Sequence, residues 1–592
     1  MARTSLFARL RRIAALCRAA QASGARDPAA VVAWIREHDG ASVSRRAFAQ
    51  QAMLGTAAIA MGCGSEDAGD EGADSGSTGG GGDGARVAVI GGGMAGLHCA
   101  YRLREVGVDA TVYESSDRTG GRMYSARDMF ADGQLAELGG ELIDTVHQTL
   151  WDLSEEFGIP LDDREAGLGE QTVRDTWYVG GVAVPQDTVV LQFAMVADTI
   201  ASQVEMADSD DAAYAMLDAT PLSQWLDDVV PAAQYPELHG ILAAAYRGEY
   251  GLENDQQSAL NLIYLIGSDT PDEFRIFGIS DERYHTHTGN DSFPAALAEG
   301  LTGHIQTGMT LTSARDGDGG GFVLVFAGPD GEVEVEADHI VFALPFTRLR
   351  QVDLTALTLS DEKRQIIAEL GYGTNAKVMG GFAERVWRTQ HDATGSVTTD
   401  LPGQQFWETS TGQDGAAGII TNFLGGMQGI ASGEGEAEAW FTSVALPDLE
   451  TIFPGTMAAY TAGSAVRMHW PSHEHTLGSY ACYRPGQWAF YGLEGAREGN
   501  VHFCGEHTSL EFQGFMEGAA ETGLLVAMAI LGDLGIMASH RARSMAERKL
   551  VLPHPAVHGR LPQRPRFAQR QRALVRPAAA ALARRGLRGE RQ

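Results

Sequence analysis

A short apolar strand running straight into three spaced glycines constrains this chain more than any other feature. Residues 87–90 lead into Gly91-Gly92-Gly93-Met94-Ala95-Gly96, and a helix-like run continues through Arg104. G-x-G-x-x-G set between strand and helix is a dinucleotide-binding arrangement. Gly91 permits the tight turn, Gly93 lets the backbone approach a pyrophosphate, and Gly96 lets the helix pack closely. Met94 and Ala95 open the helix, whose N-terminus offers unpaired N–H groups and a positive dipole end to phosphate. A second strand, residues 110–113, ends at Glu114, about 20 residues beyond the glycines, where a carboxylate accepts hydrogen bonds from ribose hydroxyls. The same carboxylate disfavours a 2′-phosphate.

A chain of 592 residues exceeds one ordinary core, so two or more domains are expected. The formal charge of −32 argues against nucleic-acid binding by the body of the protein. Five cysteines, Cys17, Cys63, Cys99, Cys482 and Cys504, show neither disulfide-framework nor metal-site spacing, so no metal is expected. Arginine concentrates in the first 46 residues and again after His540.

The N-terminal segment reads as an export leader. Ser44-Arg45-Arg46-Ala47-Phe48 resembles the twin-arginine signal, and a mildly apolar run follows from Gln51 to Gly62. Ala60-Met61-Gly62-Cys63 loosely resembles a lipobox, so Cys63 is read as a lipid attachment site. Residues 64–84 form a Gly/Ser/acidic tether with almost no apolar content to bury. The expected location is periplasmic or at the cell envelope, reached by a route that carries folded proteins.

Asp117-Arg118-Thr119-Gly120-Gly121-Arg122 follows Glu114 closely. Glu-x-x-x-Arg-x-Gly-Gly-Arg after the glycine fingerprint resembles the flavin amine oxidase superfamily: monoamine, polyamine and L-amino-acid oxidases. Protoporphyrinogen oxidases and carotenoid desaturases share the motif. The resemblance implies FAD and an α/β fold. It predicts a Rossmann-like, glutathione-reductase-like FAD domain with an inserted α+β substrate domain. Gly121 and Arg122 would then meet the pyrophosphate, a guanidinium beside glycines being a good anion clamp. Glu137-Leu138-Gly139-Gly140-Glu141 resembles the segment near the isoalloxazine, and Gly289 to Pro294 the return into the FAD domain. Leu311 falls where a family backbone meets the adenine. Residues 501–506, ending at Gly505-Glu506, and the segment Gly514-Phe515-Met516-Glu517-Gly518 form the closing signature. They imply that Glu506 sits near the FAD linker and that a helix starting near Met516 aims its N-terminus at the flavin.

The same resemblance assigns catalysis. Lys377, in Gly373-Thr374-Asn375-Ala376-Lys377-Val378, corresponds to a lysine that holds a water at flavin N5. Tyr480 and Phe515 would be two aromatic walls around a neutral amine. Ser479 stands where monoamine oxidases attach FAD through cysteine, so the cofactor is expected to be non-covalent. The implied reaction is oxidative deamination with dioxygen as final acceptor. The substrate stays open between amine and L-amino acid. Glu141-Leu142-Ile143-Asp144 replaces the arginine that often meets an amino-acid carboxylate, and Arg484 is an alternative partner for such a group. A desaturase-like or porphyrinogen-oxidising enzyme and a non-catalytic flavoprotein are the competing readings. Oligomeric state is open, a homodimer being one option.

The expected organisation is a leader over 1–63, the tether over 64–84 and FAD-binding segments at 85–150, 281–350 and 495–538. The substrate domain has a helical part at 151–280 and a sheet part at 351–494. A basic, aperiodic and disordered tail is expected over 539–592.

Overall fold

The computed structural model describes residues 84–268 and 274–551. The leader, Cys63 and all but the last residue of the tether lie outside them.

The valine- and isoleucine-rich strand Arg86–Ile90 is buried over its last four residues and sits at the centre of a five-stranded sheet. The order is Val501–Phe503, His339–Phe342, Arg86–Ile90, Asp109–Tyr113, Ile305–Gln306. Every pair is parallel. Parallel strands need covered faces, which explains their continuous apolar runs. Helices Met94–Arg104 and Met516–Leu534 cover one face, with Leu97, Cys99, Leu103, Ala520, Leu524 and Ala527 in one core. A three-stranded antiparallel sheet, Thr310–Asp316, Phe322–Gly328 and Gly331–Ala337, packs on the other. The strands of this unit are thus drawn from three stretches of chain far apart in sequence.

The remaining chain forms a seven-stranded mixed sheet in the order Val466–His469, Ala376–Phe382, Gly418–Leu424, Gln405–Glu408, Ala393–Thr399, Val173–Val179, Val182–Val184. Ala393–Thr399 and Val173–Val179 run parallel, and the other pairs are antiparallel. A helical layer that includes Gln186–Ser209 and Pro236–Tyr250 buries Phe193, Ile200, Trp225, Ile241 and Tyr246 in its own core. Gln186–Ser209 is, among the described residues, the one helix long and apolar enough to cross a membrane. Its Val189, Phe193, Val196 and Ile200 are spent on that core.

The expectation of an aperiodic tail from His540 needs correction. Residues His540–Val551 form a helix, and its Ala542, Met545 and Ala546 are buried in the core of the parallel sheet. Arg102 reaches Met545 Sδ at 3.4 Å, and Arg548 pairs with Asp152 at 2.7 Å. The arginines masked a short apolar stripe at helical spacing. The tail beyond residue 551 lies outside the described residues.

Two glycines carry the close approaches at the first turn. Gly91 has φ +110° and donates its N–H to Tyr113 O at 2.8 Å. Gly523 brings the closing helix against the first helix, where an added Cβ would lie 2.3 Å from Ala95 O. That carbonyl is backbone and cannot swing aside. Gly523→Val is therefore expected to destabilise the protein by about 1–3 kcal/mol or more through overpacking, read as a lowered midpoint in thermal unfolding.

Candidate active site

The glycine turn is shaped for phosphate. An added Cβ at Gly96 would lie 2.0 Å from Gly91 O, so that side of the turn is closed by backbone. At Gly93 the added Cβ meets nothing within 4 Å. Open space therefore lies at the glycine that begins the helix, and no side chain caps that helix end. Buried Met94 and Ala95 follow it. Glu114 closes the turn from the second strand: its Oε2 accepts from Gly92 N at 2.7 Å and its Oε1 from Ser116 N at 2.8 Å. Leu311 is buried in the antiparallel crossover, beside the carboxyl end of the sheet's second strand at Tyr113.

Arg122, Ser479, Gly505, Glu506 and Gly514 meet across the chain. Arg122 Nη1 donates to Glu506 Oε1 at 2.9 Å and to Ser479 O. Its Nη2 and Nε donate to no protein acceptor among the described residues, which leaves them for an anion. Glu506 Oε2 accepts from Gly514 N at 3.0 Å, and Gly505 N is bonded to Thr522 Oγ1. Gly121 O accepts from Arg118 at 2.7 Å, fixing the loop that carries Arg122. Helix Met516–Leu534 begins here with Phe515 as its uncapped N-cap residue. An uncapped helix start favours negative charge. The open glycine, two uncapped helix ends, the Glu114 carboxylate and the spare Arg122 donors together suit FAD.

Lys377 is the second residue of a fully buried strand, Ala376–Phe382, and is itself 4% exposed. Its ammonium donates to Glu137 O at 2.9 Å, Gly139 O at 2.8 Å and Glu141 Oε2 at 2.7 Å. A lysine has three protons and no acceptor, so this set uses all of them. Here Lys377 clamps the 137–141 segment. Thr409 Oγ1 donates to the other oxygen of Glu141. Gly140 completes the loop, donating to Arg122 O at 3.0 Å and accepting from Asn290 Nδ2 at 3.0 Å.

Burial opposes ionisation of Glu141, but the Lys377 charge and the hydrogen bonds from Lys377 and Thr409 outweigh it and hold the carboxyl below its ordinary value. Glu137, without such a charge pair, is pushed up to about 7, chiefly by burial. Two other carboxyls belong to this neighbourhood. Glu249 and Glu282 both act on Tyr480, Glu282 acts on Asp144, and Asp144 acts on Glu249. Burial first, then Glu249, raises Glu282 to about 8; burial and Asp144 raise Glu249 to about 7. Glu282 also holds φ +45°, a left-handed conformation unusual for a side-chain-bearing residue. Asp144 Oδ1 accepts its N–H at 2.8 Å, and Arg164 donates to its carbonyl at 2.8 Å.

The two aromatic candidates are held by different partners. Tyr480 donates its hydroxyl to Glu249 O, and its ring lies 3.6 Å from where a Gly514 Cβ would stand. Phe515 packs edge-on against His147, with centroids 5.3 Å apart. Ser479 donates to Asn375 Oδ1 at 2.6 Å, and Cys482 is a buried free thiol whose Sγ accepts from Asn261 Nδ2 at 3.6 Å. Arg484 is exposed and does not join the site.

Several site residues escaped the sequence reading. Thr409 lies 268 positions from Glu141 and carries no local signal. Glu517 stands in the closing signature with no local sign of its task. Its fully buried carboxylate accepts from Thr149 N and Leu150 N, both at 2.9 Å, and so caps helix Gln148–Phe157.

A parallel sheet with a glycine turn open at an uncapped helix end defines the class: a dinucleotide-binding protein. The model for the flavin containing amine oxidoreductase family matches residues 94–531, and the chain belongs to that family. FAD is accordingly its cofactor, and Ser479 offers no thiol for a covalent link. The chain is 25% identical over 474 residues to the flavin-dependent L-tryptophan oxidase of Lentzea aerocolonigenes, covering 75% of this chain and 98% of that one. It is 24% identical over 499 residues to the flavin-containing amine oxidase A of Canis lupus familiaris, covering 79% and 89%. The cyclohexylamine oxidase of Brevibacterium oxydans shares the fold with a TM-score of 0.65 at 20% identity, over 76% of this chain and 99% of that one.

Removing one member of the buried Lys377–Glu141 pair leaves an uncompensated charge. Lys377→Met is expected to cost about 3–5 kcal/mol near neutral pH. Because the folded-state Glu141 carboxyl lies below 4.5, its contribution is complete above that pH and is lost as pH falls through the lower folded value. The stability gap between wild type and Lys377→Met should therefore narrow on acidification below about 4.5, measured by urea unfolding across pH.

Proposed function

We propose that this chain is an FAD-dependent oxidase that deaminates a primary or secondary amine or an L-amino acid. The Lys377–Glu141 clamp carries the reading, because it fixes the 137–141 loop against the start of the closing helix, where Met516 lies beside Gly140. The five-stranded parallel sheet and its antiparallel crossover support a glutathione-reductase-like FAD domain, with the seven-stranded sheet and helical layer as the substrate domain.

FAD, when bound, supplies the hydride acceptor and the route of the electron pair to dioxygen, which leaves as hydrogen peroxide. The chain supplies position and electrostatics. Gly93, the first helix end and Arg122 would hold the pyrophosphate, Glu114 the ribose, and Glu506 the linker. The N-terminus of Met516–Leu534 favours negative charge on the flavin side of the site. Tyr480 and Phe515 exclude water from the carbon that loses hydride. The resulting imine is hydrolysed by water to a carbonyl compound, releasing ammonia from a primary amine or L-amino acid and a primary amine from a secondary one.

The amine-oxidase reading predicts that anaerobic addition of amines or L-amino acids bleaches the flavin absorption of the purified protein, and that air restores it with peroxide release. Bleaching by polyenes or porphyrinogens alone would contradict it, and a flavin that no substrate reduces would mark a non-catalytic protein.

Export by the twin-arginine route, with lipid attachment at Cys63, is the reading of the leader. Replacing both Arg45 and Arg46 by lysine is expected to leave the protein in the cytoplasm. Cys63→Ser is expected to move it from the membrane to the soluble exported fraction, both read by cell fractionation.

A further inference from the structure

The outer face of helix Gln186–Ser209 is more apolar than its packing requires. Only 28% of its most apolar 18-residue window is buried, although that window is apolar enough to cross a membrane. Val189, Phe193, Val196 and Ile200 face the core, whereas Leu191 and Met195 are each 70% exposed and Met206 is 43% exposed. Leu191 and Met195 are four residues apart and share a face. Met206 stands about three turns beyond Met195 on the same side. Asp187, Asp198 and Glu205 are exposed and recur after about three and then two turns. A row of carboxylates therefore runs beside a row of apolar side chains. Among the described residues none of these three carboxylates makes an ion pair.

Charge decides what can cover such a face. Residues 175–246 contain no lysine or arginine and eleven acidic residues. A bilayer would draw the carboxylates out of water along with Leu191 and Met195, at a cost. The same face on a second copy would set like charges against one another. The complementary chemistry lies in this chain. Residues 552–592, outside the described ones, hold ten arginines, no lysine and one acid, Glu590. Phe567, Leu574, Val575, Leu582 and Leu587 are interspersed among those arginines. The segment follows directly on helix His540–Val551, which Ala542, Met545 and Ala546 anchor in the core of the parallel sheet. Its 41 residues reach up to about 140 Å when extended, against a length of about 36 Å for helix Gln186–Ser209. Arginine can pair with a carboxylate while its stem lies along apolar surface, and methionine adapts to an irregular partner.

We propose that the arginine-rich segment 552–592 docks on the outer face of helix Gln186–Ser209 of the same molecule. Its guanidinium groups pair with Asp187, Asp198 and Glu205, and its apolar side chains cover Leu191, Met195 and Met206. The segment thereby neutralises a cation-free surface and shields apolar side chains that otherwise meet water.

The test is peroxide footprinting of the purified FAD-loaded protein, with methionine sulfoxide quantified at each position by mass spectrometry. Met427, also 70% exposed but on the separate helix Gly426–Ala431, is the internal control. At low salt Met195 is expected to oxidise about fivefold or more slowly than Met427, because a tethered segment acts at an effective concentration on the order of millimolar. Sodium chloride at about 1 M, where the Debye length is about 3 Å, is expected to bring the two rates together. Ending the chain after Val551 is expected to do the same, as is the triple variant Asp187→Lys, Asp198→Lys, Glu205→Lys with the segment in place. FAD content and circular dichroism report whether each variant has folded, and the salt dependence of the wild type decides the matter if neither does. Equal rates at Met195 and Met427 in the wild type at low salt would overturn the proposal. So would protection that ignores salt or survives removal of the segment. Protection lost on dilution would assign the cover to a second copy, and protection only on phosphatidylcholine vesicles would assign it to a membrane; either result overturns docking within one molecule.

Discussion

How closely backbone can approach backbone at the start of the first helix decides what the rest of the molecule can do. Gly96 lies over the Gly91 carbonyl, and Gly523 lies over the Ala95 carbonyl. No larger residue fits either place without moving main chain. These contacts bring the first and last elements of the fold together, though more than 400 positions separate Ala95 from Gly523 in sequence. They also aim two uncapped helix ends at one side of the sheet. Gly93, alone open among these crowded positions, marks where a ligand rather than protein must complete the packing.

The second organising contact is polar. Lys377 belongs to the large mixed sheet, while the groups it binds belong to the loop next to the flavin site. One ammonium therefore ties the mixed sheet to that loop and holds the Glu141 carboxyl below its ordinary value. The adjoining carboxyls differ because, among the described residues, no cation pairs with them. Glu137, Glu249 and Glu282 are raised where Glu141 is lowered, and the difference comes from partners rather than from residue type. Such separation of similar groups is characteristic of sites that bind or transform charge.

What the sequence disclosed and what it hid follow one division. Strand, turn, helix and acid between Arg86 and Glu114 are consecutive, so their pattern was readable residue by residue, as was the closing signature at residues 501–523. The placement of Lys377 on a buried strand was legible for the same reason. Its partners were not, because they arrive from about 240 positions away and two of them are carbonyls, which any residue can offer. Thr409 had no periodicity or motif to mark it. Glu517 was visible but its task, capping a helix some 370 positions earlier, was not. The helix at His540–Val551 was obscured by charge, since composition outweighed the apolar spacing of Ala542, Met545 and Ala546.

The central claim is that the open glycine at the first helix end forms the seat of FAD, on which every later step relies. Visible absorption of the purified protein beside its Gly93→Val variant tests it most directly, with far-ultraviolet circular dichroism to compare their folds. The account predicts flavin bands in the wild type and their loss in a variant that keeps its secondary structure. A wild type that is colourless and stays so after incubation with FAD, or a variant that holds the flavin equally well, would contradict it.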